Sequence, residues 1–176
     1  AMRIIQSGCS FDAAIAIARG GFPMARFICD FLNIRRLGSI QITHYAAGAA
    51  QQETAQIVAP ANIEVKNKRI LVLDDVNDTG KTILAARDYL NTLDPVMVKI
   101  AVMHEKQNTI AKADYVGEYL TEWKWLIYQW ALTEDVLGFL NRDNMLTVDL
   151  DVAQQHLKMK YHLSIDKHTL NNILQL

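Results

Sequence analysis

The chain has 176 residues, 51% of them hydrophobic, with a formal net charge of −1 and two cysteines. That length suits one domain with a real core and room for a small appendage, and the balanced charge argues against a nucleic-acid or membrane surface. No apolar run approaches the ~20 residues of a membrane span, no basic-then-apolar leader precedes the first strand, and Cys9 and Cys29 form neither a CxxC pair nor a framework, so a soluble protein of the reducing cytoplasm is expected.

Arg3 to Gly8 reads as the last turn of a helix stopped by glycine. Ala13-Ala14-Ile15-Ala16-Ile17 predicts a short buried strand, and Arg19-Gly20-Gly21 follows it directly. Helical spacing at Phe27, Ile28, Phe31 and Leu32 predicts a helix over 22–32, with Pro23 in its first turn. Two glycines at such a turn let backbone approach an anion closely; read alone, they are equally an ordinary strand-to-helix turn. From Ser39 to Tyr45, Ile40, Ile42 and His44 alternate with Gln41, Thr43 and Tyr45, a period of two that predicts a strand. Ala46 to Glu53 is small and polar and reads as a surface loop. After Pro60, Asn62 to Val65 is expected to form a short edge strand.

The organising stretch is Ile70-Leu71-Val72-Leu73-Asp74-Asp75-Val76-Asn77-Asp78-Thr79-Gly80-Lys81-Thr82. Its apolar run suits a strand buried on both faces, as in a parallel sheet. Ligands of open α/β sheets bind beyond the carboxyl ends of such strands. The turn after it offers what a phosphate needs: a flexible glycine, two hydroxyls, N–H groups at a helix N-terminus and a nearby ammonium. Adjacent carboxylates suit sugar hydroxyls or a hydrated magnesium ion. A Walker loop is excluded, because Asp75 occupies its upstream glycine position.

Hydrophobic run, two acids, short spacer and Thr-Gly-x-Thr together resemble the signature of the type I phosphoribosyltransferases. The resemblance covers about residues 3–132. It implies an α/β fold with a central, mostly parallel sheet flanked by helices, a small hood from about 107–132, a phosphoribosyltransferase domain over 1–148 and a C-terminal helical pair at 149–176. Related proteins carry a longer helix ahead of the first strand, so part of that start is expected to be missing here.

Farther along, Lys81 to Leu93 has a helical face of Ile83, Ala86 and Leu90, ended by Asp94-Pro95. Val96 to Met103 predicts another buried strand, followed by His104-Glu105-Lys106. Tyr115-Val116, then Trp123, Trp125, Leu126, Ile127, Tyr128 and Trp130, put strand-forming aromatics in quick succession. Thr133-Glu134-Asp135 reads as a helix start with acids in its first turn. In the tail, Asp151 to Tyr161 and Asp166 to Leu174 predict two helices, the first with Asp151 and Gln154 spaced like a capping box. Lys158, Lys160 and Lys167 balance Asp149, Asp151 and Asp166, so packing is favoured over nucleic-acid contact.

The resemblance implies roles residue by residue. Asp74 and Asp75 hold the ribose hydroxyls of phosphoribosyl pyrophosphate, PRPP, directly or through Mg2+. Asp78, Thr79, Gly80, Lys81 and Thr82 cradle its 5-phosphate, while Arg19 and Gly20 take the pyrophosphate, with a non-proline cis peptide expected between them. Asp78 marks the purine-using members and acts as general acid/base on the base. Lys106 matches a lysine that donates to the exocyclic oxygen at purine position 6; alone it is equally a surface lysine. Lys124 to Trp130 resembles the Trp-Ile-x-x-Pro-Trp segment of xanthine-guanine members, implying base stacking by Trp125 and a carbonyl contact from Leu126. Tyr45 takes the place of a lid tyrosine. The pattern breaks at His44 for serine, Gln129 for proline and Ala131 for an acid that helps hold magnesium. The activity implied is transfer of phosphoribosyl from PRPP to hypoxanthine, guanine or xanthine by a homodimer, with a regulatory PRPP- or purine-sensing protein as the competing class.

Overall fold

A computed structural model of the chain describes residues 1–46, 53–122 and 125–176, and gives backbone alone for 44–46 and 53–54. Its strands are β1 (Ala13–Ala18), β2 (Leu37–Ala46), β3 (Glu53–Ala59), β4 (Arg69–Asn77), β5 (Met97–Lys106) and β6 (Tyr115–Leu120). Its helices are α1 (Met2–Gln6), α2 (Gly21–Phe31), α3 (Lys81–Asn91), α4 (Leu132–Arg142), α5 (Leu150–Tyr161) and α6 (Lys167–Leu174). The strands form one sheet in the order β3-β2-β1-β4-β5-β6. Every pairing is parallel except β2 with β3.

Alternation along the central strands explains the layers. Ala13, Ile15 and Ile17 of β1 and Ile70 and Val72 of β4 face one core, which α3 covers with Ile83, Ala86 and Leu90. Ala14 and Ala16, with Leu71 and Leu73, face the other, covered by Met24, Ala25 and Cys29 of α2 and Ile4 of α1. Each strand residue therefore points to one side of the sheet or the other. The strand order reverses between β1 and β4, the central pair, so their carboxyl ends flank the crevice where such folds bind ligands.

Two local expectations are corrected. The edge strand is β3 at 53–59, whereas 62–65 has no regular structure. Ala55 and Ile57 pack toward the core while Gln56 and Val58 are exposed, an alternation in which the alanines weaken the contrast. Residues 125–130 form irregular chain and a turn instead of a strand. Residues 47–52, most of the stretch read as the lid, and Trp123 and Lys124 lie outside the described residues, as does the Tyr45 side chain.

The chain divides into two compact units, 1–124 and 125–176. In the second, Val136, Phe139 and Leu140 of α4 share a core with Ala153 and Leu157 of α5 and Leu170 and Ile173 of α6. The tail helices thus pack with α4, and the division expected after 148 falls inside this three-helix unit. Asp149, instead of Asp151, caps α5 by accepting from Asp151 N at 2.8 Å. Asp166 caps α6 through Thr169 N at 2.9 Å.

Candidate active site

β4 runs through both acids to Asn77, so Asp74 and Asp75 belong to the strand and Asp78 is the first residue beyond it. Both carboxylates are buried. Asp74 Oδ1 accepts from Asp75 N at 3.0 Å. Burial, and then the neighbouring Asp75 charge, push the Asp74 carboxyl well above the usual aspartate range. A cation or the hydroxyls of a sugar would relieve that cost.

Asp75 continues the Leu71, Leu73 face and meets the β1–α2 turn. A methyl on Gly20 would fall on the Asp75 carboxylate, and one on Gly21 would fall on the Leu73 carbonyl. Gly20 has φ −58, which any residue adopts. The glycine pair is therefore required by close approach to β4, with no demand for unusual backbone. The turn carries the expected non-proline cis peptide, one bond earlier than expected, between Ala18 and Arg19.

Beyond β4, Gly80 adopts φ +89 and opens α3, a conformation that favours glycine. Asp78 to Thr82 wraps the α3 N-terminus, where backbone N–H groups and the helix dipole favour an anion. Lys81 N approaches Thr79 Oγ1 at 3.4 Å, and Thr79 is exposed. Lys106, at the end of β5, places Nζ 2.6 Å from Asp78 Oδ2. Four sequence-predicted groups thus share one edge of the sheet: the acid pair, the phosphate turn, the glycine turn and the Asp78–Lys106 pair.

Asn77, Glu105 and Thr109 were not singled out from sequence, yet all are buried beside this turn. The available signal was polar: Asn77 lies among carboxylates and Glu105 next to Lys106, where β4 and β5 remain paired residue for residue.

Trp125 and Leu126 belong to the second unit. The Trp125 indole N–H donates to Asp135 Oδ1 at 3.0 Å, and the ring meets Phe139 edge-on, 5.9 Å between centroids. Half of Trp125 stays exposed, and Leu126 is half-buried. Ala131 is the residue preceding α4, with Glu134 and Asp135 in the first turn. No cluster of three or more His, Cys, Asp or Glu side chains fit to hold a metal occurs among the described residues. Asp74 and Asp75 fit a magnesium ion that takes most of its ligands from a bound phosphate ester and water.

Against known proteins, the phosphoribosyl transferase domain model matches residues 1–134. The chain belongs to the phosphoribosyltransferase family. Among relatives of this phosphoribosyltransferase, a hypoxanthine-guanine phosphoribosyltransferase of Aquifex aeolicus is 31% identical over 120 residues, covering 64% of this chain and 67% of that protein. The bifunctional protein PyrR of Alkaliphilus metalliredigens is 32% identical over 114 residues, covering 59% of this chain and 63% of PyrR. The chain thus spans a little under two thirds of that PyrR. Among solved structures, a purine phosphoribosyltransferase from Pyrococcus horikoshii superposes with a TM-score of 0.63 at 29% identity, covering 73% of this chain and 81% of that one. A Neisseria gonorrhoeae protein with bound ppGpp gives 0.65 at 29% identity, covering 81% and 87%. Among the described residues, no helix is long and apolar enough to cross a membrane.

Proposed function

We propose that this phosphoribosyltransferase joins a 6-oxopurine base (hypoxanthine, guanine or xanthine) to the phosphoribosyl group of PRPP, giving a purine 5′-monophosphate and pyrophosphate. The observation that carries the reading is the Asp78–Lys106 pair, 2.6 Å apart beside the phosphate turn. An ammonium has three donors, so Lys106 can keep Asp78 while giving one hydrogen to the oxygen at purine position 6. Adenine offers a donor there, and the match is lost.

In this reading the 5-phosphate sits against the α3 N-terminus, on the N–H groups and hydroxyls of Thr79 to Thr82, with the Lys81 ammonium nearby. Asp74 and Asp75 take the ribose hydroxyls. Arg19 and the Gly20 backbone hold the pyrophosphate as its bond to carbon 1 breaks and the ring nitrogen's bond forms. That transition state has oxocarbenium character, so positioning and fixed charge do most of the catalysis. Asp78 exchanges a proton with the purine as the new bond forms. Mg2+, held by PRPP oxygens, water and the Asp74–Asp75 pair, would supply charge neutralisation for the leaving pyrophosphate. The family resemblance assigns base stacking, worth about 1–3 kcal/mol, to Trp125 and a carbonyl contact with a ring donor to Leu126. Tyr45, given a lid role by the family resemblance, lies near the end of β2. The homodimer and the cytoplasmic location rest on the family resemblance.

The Pyrococcus and Aquifex relatives, named for purine and hypoxanthine-guanine transfer, support the purine class. The ppGpp in the Neisseria structure supports a site that accommodates a guanine nucleotide. The PyrR relatives, named bifunctional, favour a second reading in which the site senses PRPP or a purine to regulate a partner. Incubation with PRPP, Mg2+ and single purines separates the two: micromolar ligand binding without nucleotide formation would leave the sensor.

A further inference from the structure

Asn77 and Glu105 are direct register partners on the adjacent parallel strands β4 and β5. Each immediately precedes a site residue, Asp78 and Lys106. Their side chains are 2% and 1% exposed. Asn77 Nδ2 donates to Glu105 Oε2 at 2.8 Å and to the Ala111 carbonyl at 2.7 Å. The Thr109 hydroxyl lies 3.1 Å from Asn77 Oδ1 and 2.9 Å from the Ala111 carbonyl, sharing its one hydrogen between them. Ala113 N also donates to Glu105 Oε2, at 2.8 Å. Glu105 Oε1 makes no hydrogen bond but faces the Lys112 ammonium at 3.4 Å.

The loop held this way grips the phosphate turn from its other side. Ile110 N donates to the Thr79 carbonyl at 3.0 Å. Gly80 lies so near that a methyl there would be 2.6 Å from both Ala111 N and Thr109 Oγ1. Burying a carboxylate and an amide costs desolvation that two apolar residues at these register positions would avoid. What the polar groups add is direction: Asn77 to the Ala111 carbonyl, Thr109 to Asn77 and Ala113 N to Glu105 fix the loop at 109–113 relative to the strand ends.

We propose that Asn77, Glu105 and Thr109 are positioning residues, a buried bracket that presets the phosphate turn and the Asp78–Lys106 pair for PRPP; this rests on the phosphoribosyltransferase reading of the site. All three are buried, so they act through the turn and the Asp78–Lys106 pair. Both donors to Glu105 use one oxygen, so a glutamine can replace that oxygen while a leucine cannot.

The test compares Asn77→Leu, Glu105→Leu and Glu105→Gln with wild type. The readouts are calorimetric titration with ribose 5-phosphate, kcat/KM for PRPP, and thermal unfolding. The leucine variants are expected to unfold cooperatively yet lose at least about 10-fold in ribose 5-phosphate affinity and about 10²-fold in kcat/KM, the scale of a misplaced reacting group. Glu105→Gln should recover most of both losses. If the leucine variants do not fold, Thr109→Val decides: the bracket predicts several-fold weaker ribose 5-phosphate binding and faster exchange of the Ile110 amide. Folded leucine variants within roughly twofold of wild type, a glutamine no better than leucine, or an unchanged Thr109→Val would overturn the bracket. A wild type that makes no nucleotide would sink the enzyme reading while the titration still decides the bracket; a wild type that neither makes nucleotide nor binds ribose 5-phosphate sinks both.

Discussion

Lys106 Nζ lies 2.6 Å from Asp78 Oδ2, joining the ends of two neighbouring parallel strands across 28 positions of sequence. The lysine side chain is 8% exposed and the aspartate 44%, so the pair is a buried cation met by a carboxylate at the crevice. A charge-assisted bond of this length orients both groups. Separately each is an unremarkable polar residue at a strand end; together they put an ammonium donor and a carboxylate within one site.

Asp78→Asn keeps the side-chain shape and removes the proton acceptor. PRPP binding should stay near normal while turnover slows at least ~10²-fold, the scale of lost general acid/base catalysis. Rapid-quench turnover and PRPP titration check this together. Near-wild-type turnover removes Asp78 from the proton-transfer role.

Lys106→Ala should act on base choice. The ratio of kcat/KM for hypoxanthine over adenine is expected to fall by at least about 10-fold, because a site built to hydrogen-bond one substrate group rejects the analogue lacking it. Competition between the two bases at fixed PRPP gives the ratio directly. An unchanged preference removes Lys106 from selection.

Most of this site could be read in the sequence because its signals are local. The run from Ile70 to Leu73, the acids and Thr79-Gly80 lie within one strand–turn–helix, where apolar continuity and turn chemistry act over a few residues. What escaped was set by pairing. Glu53 to Ala59 is a strand because β2 offers it a partner, and its alanines and polar residues show that weakly. Asn77 passed as a spacer and Glu105 as a strand-end acid, since only the β4–β5 register shows that they face one another. At Trp125 to Trp130, β-forming side chains take irregular backbone, and Trp125 is fixed by Asp135 and Phe139 of the following helix. Tertiary packing overrode propensity there.

The two turn glycines should respond differently to alanine. Gly20 has an ordinary φ, and the three atoms nearest its added methyl all belong to the Asp75 carboxylate. Gly20→Ala should therefore weaken PRPP binding with little change in unfolding temperature. Gly80 combines φ +89 with close approach to Ala111 N and to the Thr109 and Ile110 side chains, so Gly80→Ala should lose PRPP affinity and also about 1–3 kcal/mol of stability. Calorimetry for PRPP and thermal melts of both variants give the comparison; equal melting losses would contradict it.

In the second unit, Asp143 accepts from Lys160 at 2.6 Å and Tyr161 at 2.5 Å, and lies 2.7 Å from His156 Nε2. The Lys160 bond, then those of Tyr161 and His156, hold its carboxyl well below the usual carboxylate range. A depressed folded-state pKa contributes stability above the unfolded value of about 3.9, and that stability is lost as pH falls toward the folded value. Asp143→Asn should therefore lower the melting temperature at pH 7, and the gap to wild type should narrow as pH drops below about 4. Melts across that range check the sign. A gap that is constant or widens on acidification contradicts the assignment.

Chromatographic detection of the nucleotide is the decisive measurement for 6-oxopurine transfer. Wild-type protein would be incubated with PRPP and Mg2+ and, in separate reactions, hypoxanthine, guanine, xanthine, adenine and uracil. PRPP-dependent formation of at least one 6-oxopurine monophosphate is expected, with adenine and uracil poor by comparison. Nucleotide formed from adenine or uracil in preference, or from no base while PRPP still binds, would contradict it.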